Sequence, residues 1–118
     1  MLNLSELVRI YVCLAPTDMR KSFDSLAALV QESLGHDPLS GHLFVFRSRR
    51  GDRLKLLWWD RDGLTLYYRR LEAGTFRFPT SDDPQARSIE VSAQELSLVL
   101  WGIDPASVKR QKRYQRAG

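Results

Sequence analysis

The sequence predicts a single α+β domain, an antiparallel meander sheet of about five to six strands with two helices packed on one face. Three observations support this fold class. Short runs that alternate apolar and polar residues are separated by turn residues along the middle of the chain, as in β-hairpins. Two other segments repeat apolar residues every three or four positions, as amphipathic helices do. The 118 residues, 43% hydrophobic and 27% charged, have the size and balance of one folded domain.

The first third of the chain predicts one strand followed by one helix. Residues 8–14 alternate and are rich in β-branched side chains, which is typical of a strand. Pro16 then begins a turn in which Thr17 or Asp18 is placed to cap a helix. Apolar residues recur at helical spacing from there until Gly35, so the helix is predicted to end at this glycine.

The central part of the chain predicts a hairpin meander. Its two connections, at residues 48–53 and 60–63, are rich in glycine and aspartate, which is typical of tight turns between antiparallel strands. Residues 75–78 are expected to form a fourth hairpin strand, which Pro79 ends. The three preceding strands are predicted at residues 43–47, 54–59 and 64–70.

The last part of the domain predicts a short strand and a second helix. Residues 88–91 have the composition of a strand. Ser92 and Glu95 have the spacing of a capping box, in which each side chain satisfies the other residue's backbone N–H. Gly102 and Pro105 then predict where the helix ends.

The positive charge is concentrated at the C-terminus. Of the 18 basic residues, 14 are arginine, whose planar guanidinium pairs well with phosphate. Five basic residues lie in 109–118 without an acidic residue, so the other 13 are balanced by 14 acidic ones. We therefore expect a folded domain over 1–107 and a basic, disordered tail over 108–118. The tail residues predicted to contact nucleic acid are Lys109, Arg110, Lys112, Arg113 and Arg116.

A second basic cluster is predicted on the first hairpin of the meander. Its side chains have Asp52 as their one acidic neighbour, which suits contact with a DNA backbone or, alternatively, a solvated hairpin tip. At the start of the first helix, two further cations oppose the helix dipole slightly, which favours a contact with phosphate or protein. These predicted contact residues are Arg20, Lys21, Arg47, Arg49, Arg50, Arg53 and Lys55.

The strand alternation predicts a sheet face that mixes basic groups with aromatic rings. Three interpretations of this face stay open: contact with nucleic acid, a solvated surface, or a protein-docking surface. The opposite face is rich in leucine and phenylalanine, so it is expected to pack under both helices. The residues expected together on the mixed face are Lys55, Trp59, Tyr67, Arg69 and Arg77.

The acidic and metal-ligating residue types form no recognisable catalytic set. Asp60 and Asp62 lie in a predicted turn and Asp18 at a predicted cap, where aspartate is favoured for local backbone bonding. The sequence contains neither a glycine-rich phosphate loop nor a histidine and cysteine cluster typical of zinc. We therefore expect no catalytic residue, metal, cofactor or small-molecule substrate.

The cysteine content and hydropathy favour a cytoplasmic protein without membrane contact. Cys13 is the only cysteine, which excludes an internal disulfide and fits a reducing compartment. No apolar run approaches the roughly 18 residues of a membrane helix, and the N-terminus lacks the pattern of a signal peptide. The oligomeric state stays open.

Four motifs occur in order along the chain. They are TDMRK at residues 17–21, GHLFVF at 41–46, RRGDRLKLLWWD at 49–60 and RRLE at 69–72. Together with Gly74 and Phe76, they resemble the TnpB accessory protein, encoded by the second open reading frame of the insertion sequence 66 transposon family. The resemblance extends from about residue 8 to residue 104.

The resemblance implies a helper protein needed for transposition beside a separate DDE transposase. Ser22 stands where the family often has glycine, Phe78-Pro79 where it often has Trp-Pro, and the basic tail is the least similar part. Our hypothesis is a non-catalytic accessory protein that binds DNA non-specifically through the basic hairpin and tail. The alternative is an adaptor that docks on the transposase or another protein of the element without touching DNA.

Overall fold

The computed structural model describes residues 7–104 and 109–110. Within these ranges the chain forms seven strands and two helices. Their bounds, in chain order, are β1 Ile10–Cys13, α1 Phe23–Glu32, β2 Leu43–Arg47, β3 Arg53–Asp60, β4 Gly63–Arg70, β5 Ser88–Val91, α2 Ala93–Trp101, β6 Ile103–Asp104 and β7 Lys109–Arg110.

Five strands form one mixed, mostly antiparallel sheet in the order β4-β3-β2-β1-β5. The strands β2, β3 and β4 make the predicted antiparallel meander. β1 lies parallel to β2, and α1 provides the crossover that a parallel pair requires. β5 then returns antiparallel to β1. The structure thus confirms the α+β class, with a five-stranded sheet and two helices.

The two helices pack on opposite faces of the sheet, so the prediction that both lie on one face is wrong. On one face the strands pack against Leu96 and Val99 of α2, and on the other against Leu26 and Val30 of α1. β2 shows the reason, because residues 43–46 are all fully buried. An uninterrupted apolar run of this kind is typical of a strand that is covered on both sides.

α1 begins later than predicted. Its first residue is Phe23 and its N-cap is Ser22, so the assignment of Thr17 or Asp18 as the cap is wrong. The Asp18 carboxylate instead accepts the backbone N–H of Arg20 at 2.9 Å, the local bond of an Asx turn. The TDMRK motif therefore forms a turn that leads into the helix.

Residues 75–78 form no strand, contrary to the prediction. The segment instead crosses the β2–β3 turn, where the Phe76 N–H donates to the Gly51 carbonyl at 2.7 Å. The Phe76 side chain is buried in the core beside α2. Among the described residues, the segment has no strand beside it to pair with. It is therefore held by the buried Phe76 ring and by the hydrogen bond from Phe76 to the β2–β3 turn.

α2 begins and ends as predicted. The Ser92 N–H donates to the Glu95 carboxylate at 3.1 Å, and the Glu95 N–H donates to the Ser92 hydroxyl at 3.0 Å. Gly102 ends the helix in the left-handed conformation, with φ of +74°. Beyond it β6 pairs with β7, so the backbone of Lys109 and Arg110 is antiparallel to residues 103–104. The other predicted tail residues, Lys112, Arg113 and Arg116, lie outside the described residues.

Candidate nucleic-acid interface

A cleft lined by arginines lies between the β2–β3 turn and the segment that follows β4. Its volume is about 310 Å³. Arg49 and Arg50 line it from the turn, and Arg77 lines it from the segment, while Arg47 at the end of β2 completes the set. None of the described residues that line the cleft is acidic. We call this feature the arginine cleft.

The turn that carries Arg49 and Arg50 has a defined backbone. The Gly51 N–H donates to the Ser48 carbonyl at 3.0 Å, and Gly51 has a φ of +78°, which favours glycine. The Ser48 hydroxyl bonds the Asp52 carboxylate at 3.2 Å. The acidic residue predicted to lie beside the cluster is therefore held within the turn, and the two arginine side chains project into solvent.

The arginines of the cleft differ in how firmly they are held. The side chain of Arg47 is half-buried, and its guanidinium donates to the Leu14 carbonyl at 2.8 Å and lies 5.8 Å from the centre of the Phe78 ring. Arg49, Arg50 and Arg77 are exposed, and none has an ion-pair partner among the described residues. The guanidinium groups of Arg49, Arg50 and Arg77 are thus available to an anion, while that of Arg47 joins the end of β2 to Leu14 and Phe78.

The predicted mixed sheet face does not form, because the register of β3 with β4 separates its members. Asp60 pairs with Gly63 across a two-residue turn, so every odd-numbered residue of β3 lies beside an even-numbered residue of β4. Trp59 pairs with Leu64, whereas Tyr67 pairs with Leu56. Paired residues point to the same face, so the expected partners point in opposite directions.

The five residues expected on that face therefore lie in three places. Lys55 and Trp59 are on the α1 face of the sheet, and Tyr67 and Arg69 are on the α2 face. Arg77 lies in the arginine cleft, away from the sheet ladder. Tyr67 is exposed, while Trp59 and Arg69 are half-buried. The structure thus brings Arg77 to the hairpin cluster and divides the other four between the two faces of the sheet.

Lys55 lies in the interior, where its side chain is not available to phosphate. Only 5% of the residue is exposed. Its ammonium donates to the carbonyls of Met19 and Lys21, at 2.8 and 2.5 Å, and lies 4.6 Å from the centre of the Tyr68 ring. Lys55 therefore ties β3 to the turn before α1, and its assignment as a nucleic-acid contact is wrong because a buried cation is matched to carbonyls.

The remaining predicted cations lie apart from the cleft lining. Arg53 donates to the Tyr68 hydroxyl at 3.3 Å, and this bond raises its pKa. The exposed Arg20 holds the Asp18 carboxylate through two side-chain nitrogens, with a closest distance of 2.7 Å. The Arg20 side chain, and then its backbone N–H, lower the pKa of Asp18 to about 2. Lys21 is half-buried and offers its backbone carbonyl to the interior.

Sequence reasoning missed the aromatic part of the cleft. Phe76 and Phe78 line it together with the arginines, and their ring centres lie 6.0 Å apart. The sequence signal was the alternation of Phe76, Arg77 and Phe78 before Pro79, which looks like a strand. What the sequence did not show is that this alternation places one ring in the core and the next beside the β2–β3 turn.

A second cavity, of about 340 Å³, lies between the end of β1, α1 and residues 84–87. Cys13 lines it, and burial raises the pKa of the thiol. Its other described lining residues are mostly apolar or small, and Arg87 is the one charged side chain among them. The cavity thus lacks the cluster of cations that distinguishes the arginine cleft.

Comparison with known proteins identifies the family. Residues 8–110 match the family described as IS66 Orf2 like protein. The chain belongs to this family. Two similar proteins come from Sinorhizobium fredii: y4hO is 43% identical over 104 residues, which is 88% of each chain. The other, y4jC, is 40% identical over 111 residues, which is 94% of this chain and 92% of the relative. No solved structure matches significantly.

Family membership confirms the resemblance and makes the chain an IS66 Orf2-like accessory protein of transposition. In residues 7–104 and 109–110, no group of three or more histidine, cysteine, aspartate or glutamate side chains is arranged to hold a metal ion. Neither helix in this part of the chain is long and apolar enough to span a bilayer. In the described part of this IS66 Orf2-like protein, the arginine cleft groups four arginines without an acidic lining residue.

Proposed function

We propose that this IS66 Orf2-like protein is a non-catalytic, cytoplasmic accessory factor that holds DNA non-specifically beside the element's transposase. The proposal rests on the arginine cleft, which three exposed arginines line without an acidic lining residue among the described residues. Arginine binds phosphate in two-point fashion, and such contacts carry no sequence information. The contacts position the protein on the backbone of any DNA.

The basic residues of the C-terminal segment supply further phosphate contacts in the proposal. Lys109, Arg110, Lys112, Arg113 and Arg116 add five charges in ten residues. Each phosphate that a protein neutralises contributes about −0.9 to the slope of log affinity against log salt on duplex DNA. The five charges thus predict a slope of about −4 to −5, and the three cleft arginines add about −3. Deleting residues 109–118 leaves the cleft term of about −3.

A matched pair of variants tests the contribution of the cleft. Arg49→Gln with Arg50→Gln removes two charges from the cleft. Arg9→Gln with Arg61→Gln removes two charges at the other end of the sheet, just before β1 and just after β3, where Arg9 forms an exposed ion pair with Glu90 at 3.4 Å. All four residues are exposed. Fluorescence anisotropy with random duplex DNA across a salt series is expected to show a slope smaller by about 2 for the cleft variant. The control variant is expected to keep the wild-type slope.

Two outcomes contradict the proposal. If the wild-type protein binds duplex DNA without salt dependence, phosphate contact is not the basis of binding. If the cleft variant and the control variant lose the same slope, the protein's total charge matters and the arrangement in the cleft does not.

The adaptor function is a second candidate, and the free edge of β4 favours it. β4 is eight residues long and lies at the edge of the sheet, with Tyr67 and Tyr68 exposed on it. An edge strand offers unpaired backbone groups to another chain, and tyrosine is enriched at protein interfaces. Nuclease-treated pull-downs with the element's other proteins test this candidate: Tyr67→Ala is expected to lose the partner, while Arg49→Gln retains it.

A further inference from the structure

The shape of the arginine cleft restricts which form of nucleic acid fits inside it. Its volume of about 310 Å³ is at the lower end of the range of small-molecule sites. A double helix, whose major groove alone is about 12 Å wide, meets such a cleft only from outside. One nucleotide unit that is not base-paired is small enough to enter. The concave shape therefore restricts the size of the ligand, which the number of positive charges alone does not.

The chemistry of the walls also suits a nucleotide better than a phosphate alone. Phe78 lines the cleft together with the exposed guanidinium groups of Arg49, Arg50 and Arg77. The Phe78 side chain is half-buried, so part of it is accessible from the cleft. Proteins that hold single strands combine cations along the backbone with an aromatic ring on which a base stacks. Both components occur here within one cavity.

The two walls are fixed relative to each other. The bond from the Phe76 N–H to the Gly51 carbonyl, at 2.7 Å, joins the segment to the turn, and the Phe76 side chain is buried in the core. Arg47 is held by the Leu14 carbonyl at 2.8 Å, and its guanidinium lies over one face of the Phe78 ring, 5.8 Å from the ring centre. The backbone of the two walls thus needs little ordering before a ligand enters, which favours binding, whereas the exposed arginine side chains become ordered on the ligand.

We propose that the arginine cleft accepts one unpaired nucleotide of single-stranded DNA, with the base against Phe78 and the neighbouring phosphates on Arg49, Arg50 and Arg77. The protein then binds single-stranded DNA, including frayed ends, more tightly than duplex DNA of the same length. This inference rests on the proposed DNA-binding function, because the same arginines carry both. It adds a preference for an unpaired base that phosphate contact alone does not produce.

The test compares a short thymidine oligonucleotide with a blunt duplex of the same length by fluorescence anisotropy at one salt concentration. Phe78→Leu keeps an apolar side chain against the core and removes the aromatic face, whereas Phe78→Trp retains a face. Phe78→Leu is expected to weaken single-strand binding roughly tenfold, with little change for the duplex. Phe78→Trp is expected to keep the wild-type preference. Tyr67→Leu removes an exposed ring outside the cleft and is expected to change neither affinity.

The outcomes separate this inference from the proposed function. Loss of the single-strand preference in Phe78→Leu alone, with an unchanged melting temperature, supports the inference. If wild-type protein binds both forms equally, or if Phe78→Leu keeps the preference, the inference is overturned while salt-dependent DNA binding stands. If Tyr67→Leu abolishes the preference, the unpaired base stacks elsewhere and the inference is likewise overturned. If neither form is bound at low salt, both proposals fail.

Discussion

Replacing Lys55 by methionine is expected to destabilise the fold without changing DNA binding. Methionine keeps most of the aliphatic volume and removes the ammonium. The Met19 and Lys21 carbonyls then lose a donor that lies 2.8 and 2.5 Å away, and the Tyr68 ring loses a cation 4.6 Å from its centre. Because Lys55 is only 5% exposed, water does not readily replace these interactions.

The expected magnitude follows from the interactions that are lost. A hydrogen bond from a charged donor contributes about 1.5–3 kcal/mol, and a cation over an aromatic ring about 1–2 kcal/mol. Removing the ammonium also relieves its desolvation cost, which offsets several kcal/mol of the combined loss from the two hydrogen bonds and the ring contact. The net loss in the free energy of unfolding is therefore expected to be about 2–4 kcal/mol. For a domain of this size that corresponds to a fall in Tm of about 10 °C.

Urea denaturation followed by circular dichroism measures this change. Lys21→Met is the matched control, because it removes a nearby half-buried lysine side chain and keeps the carbonyl that Lys55 binds. The control is expected to change stability by about 0.5 kcal/mol or less. Lys55→Met is also expected to keep the wild-type duplex affinity at a temperature where it is folded, since its ammonium does not reach the surface.

Two results refute this account of Lys55. One is a loss of stability below about 1 kcal/mol, which means that the two carbonyls do not depend on the ammonium. The other is a folded Lys55→Met protein with a clearly weaker affinity for DNA, which places the side chain at the interface.

Two further predictions concern ionisable groups. Carboxyl NMR titration is expected to give Asp18 a pKa of about 2, and Arg20→Ala to raise it towards 3.8. Because the folded pKa is lowered, the stabilisation by this ion pair is present above pH 3.8 and disappears as the pH falls towards 2; an unchanged pKa in Arg20→Ala contradicts this cause. The buried Cys13 thiol, whose pKa is raised, is expected to react slowly with iodoacetamide at neutral pH in the native protein and rapidly in denaturant. Equal rates in the two states contradict its burial.

Local signals predicted the elements that depend on neighbouring residues. The spacing of Ser92 and Glu95 identified the start of α2, and Gly102 its end, because caps are formed within one turn of the chain. The meander of β2, β3 and β4 followed from alternation and turn composition for the same reason. These features need no knowledge of distant contacts.

Features that depend on pairing over distance were not predictable in the same way. The length of the turn between Asp60 and Gly63 fixes the register, and a change of one residue moves Tyr67 to the other face of β4. The alternation of β3 showed that Lys55 has apolar neighbours, yet the carbonyls that its ammonium binds lie more than 30 positions away. Phe76 similarly depends on a contact with Gly51 that no local pattern indicates.

The sequence predicted only the part of the candidate site whose residues are neighbours along the chain. The cluster of Arg47, Arg49 and Arg50 was visible because these residues are adjacent in sequence. Arg77 and Phe78 join it only through the packing of their segment against the turn. The sequence thus predicted the charge of the site, and the structure supplied its concave shape and its aromatic wall.

NMR of the arginine side chains can show directly whether the arginine cleft binds DNA, because each Nε–H group reports on its own surroundings. Titration with a short thymidine oligonucleotide is predicted to shift the Nε–H signals of Arg49, Arg50 and Arg77 most strongly. The signals of Arg9 and Arg61 are predicted to stay in place. If the largest shifts occur at Arg9 and Arg61, or if no arginine signal moves at low salt, the arginine cleft does not bind DNA.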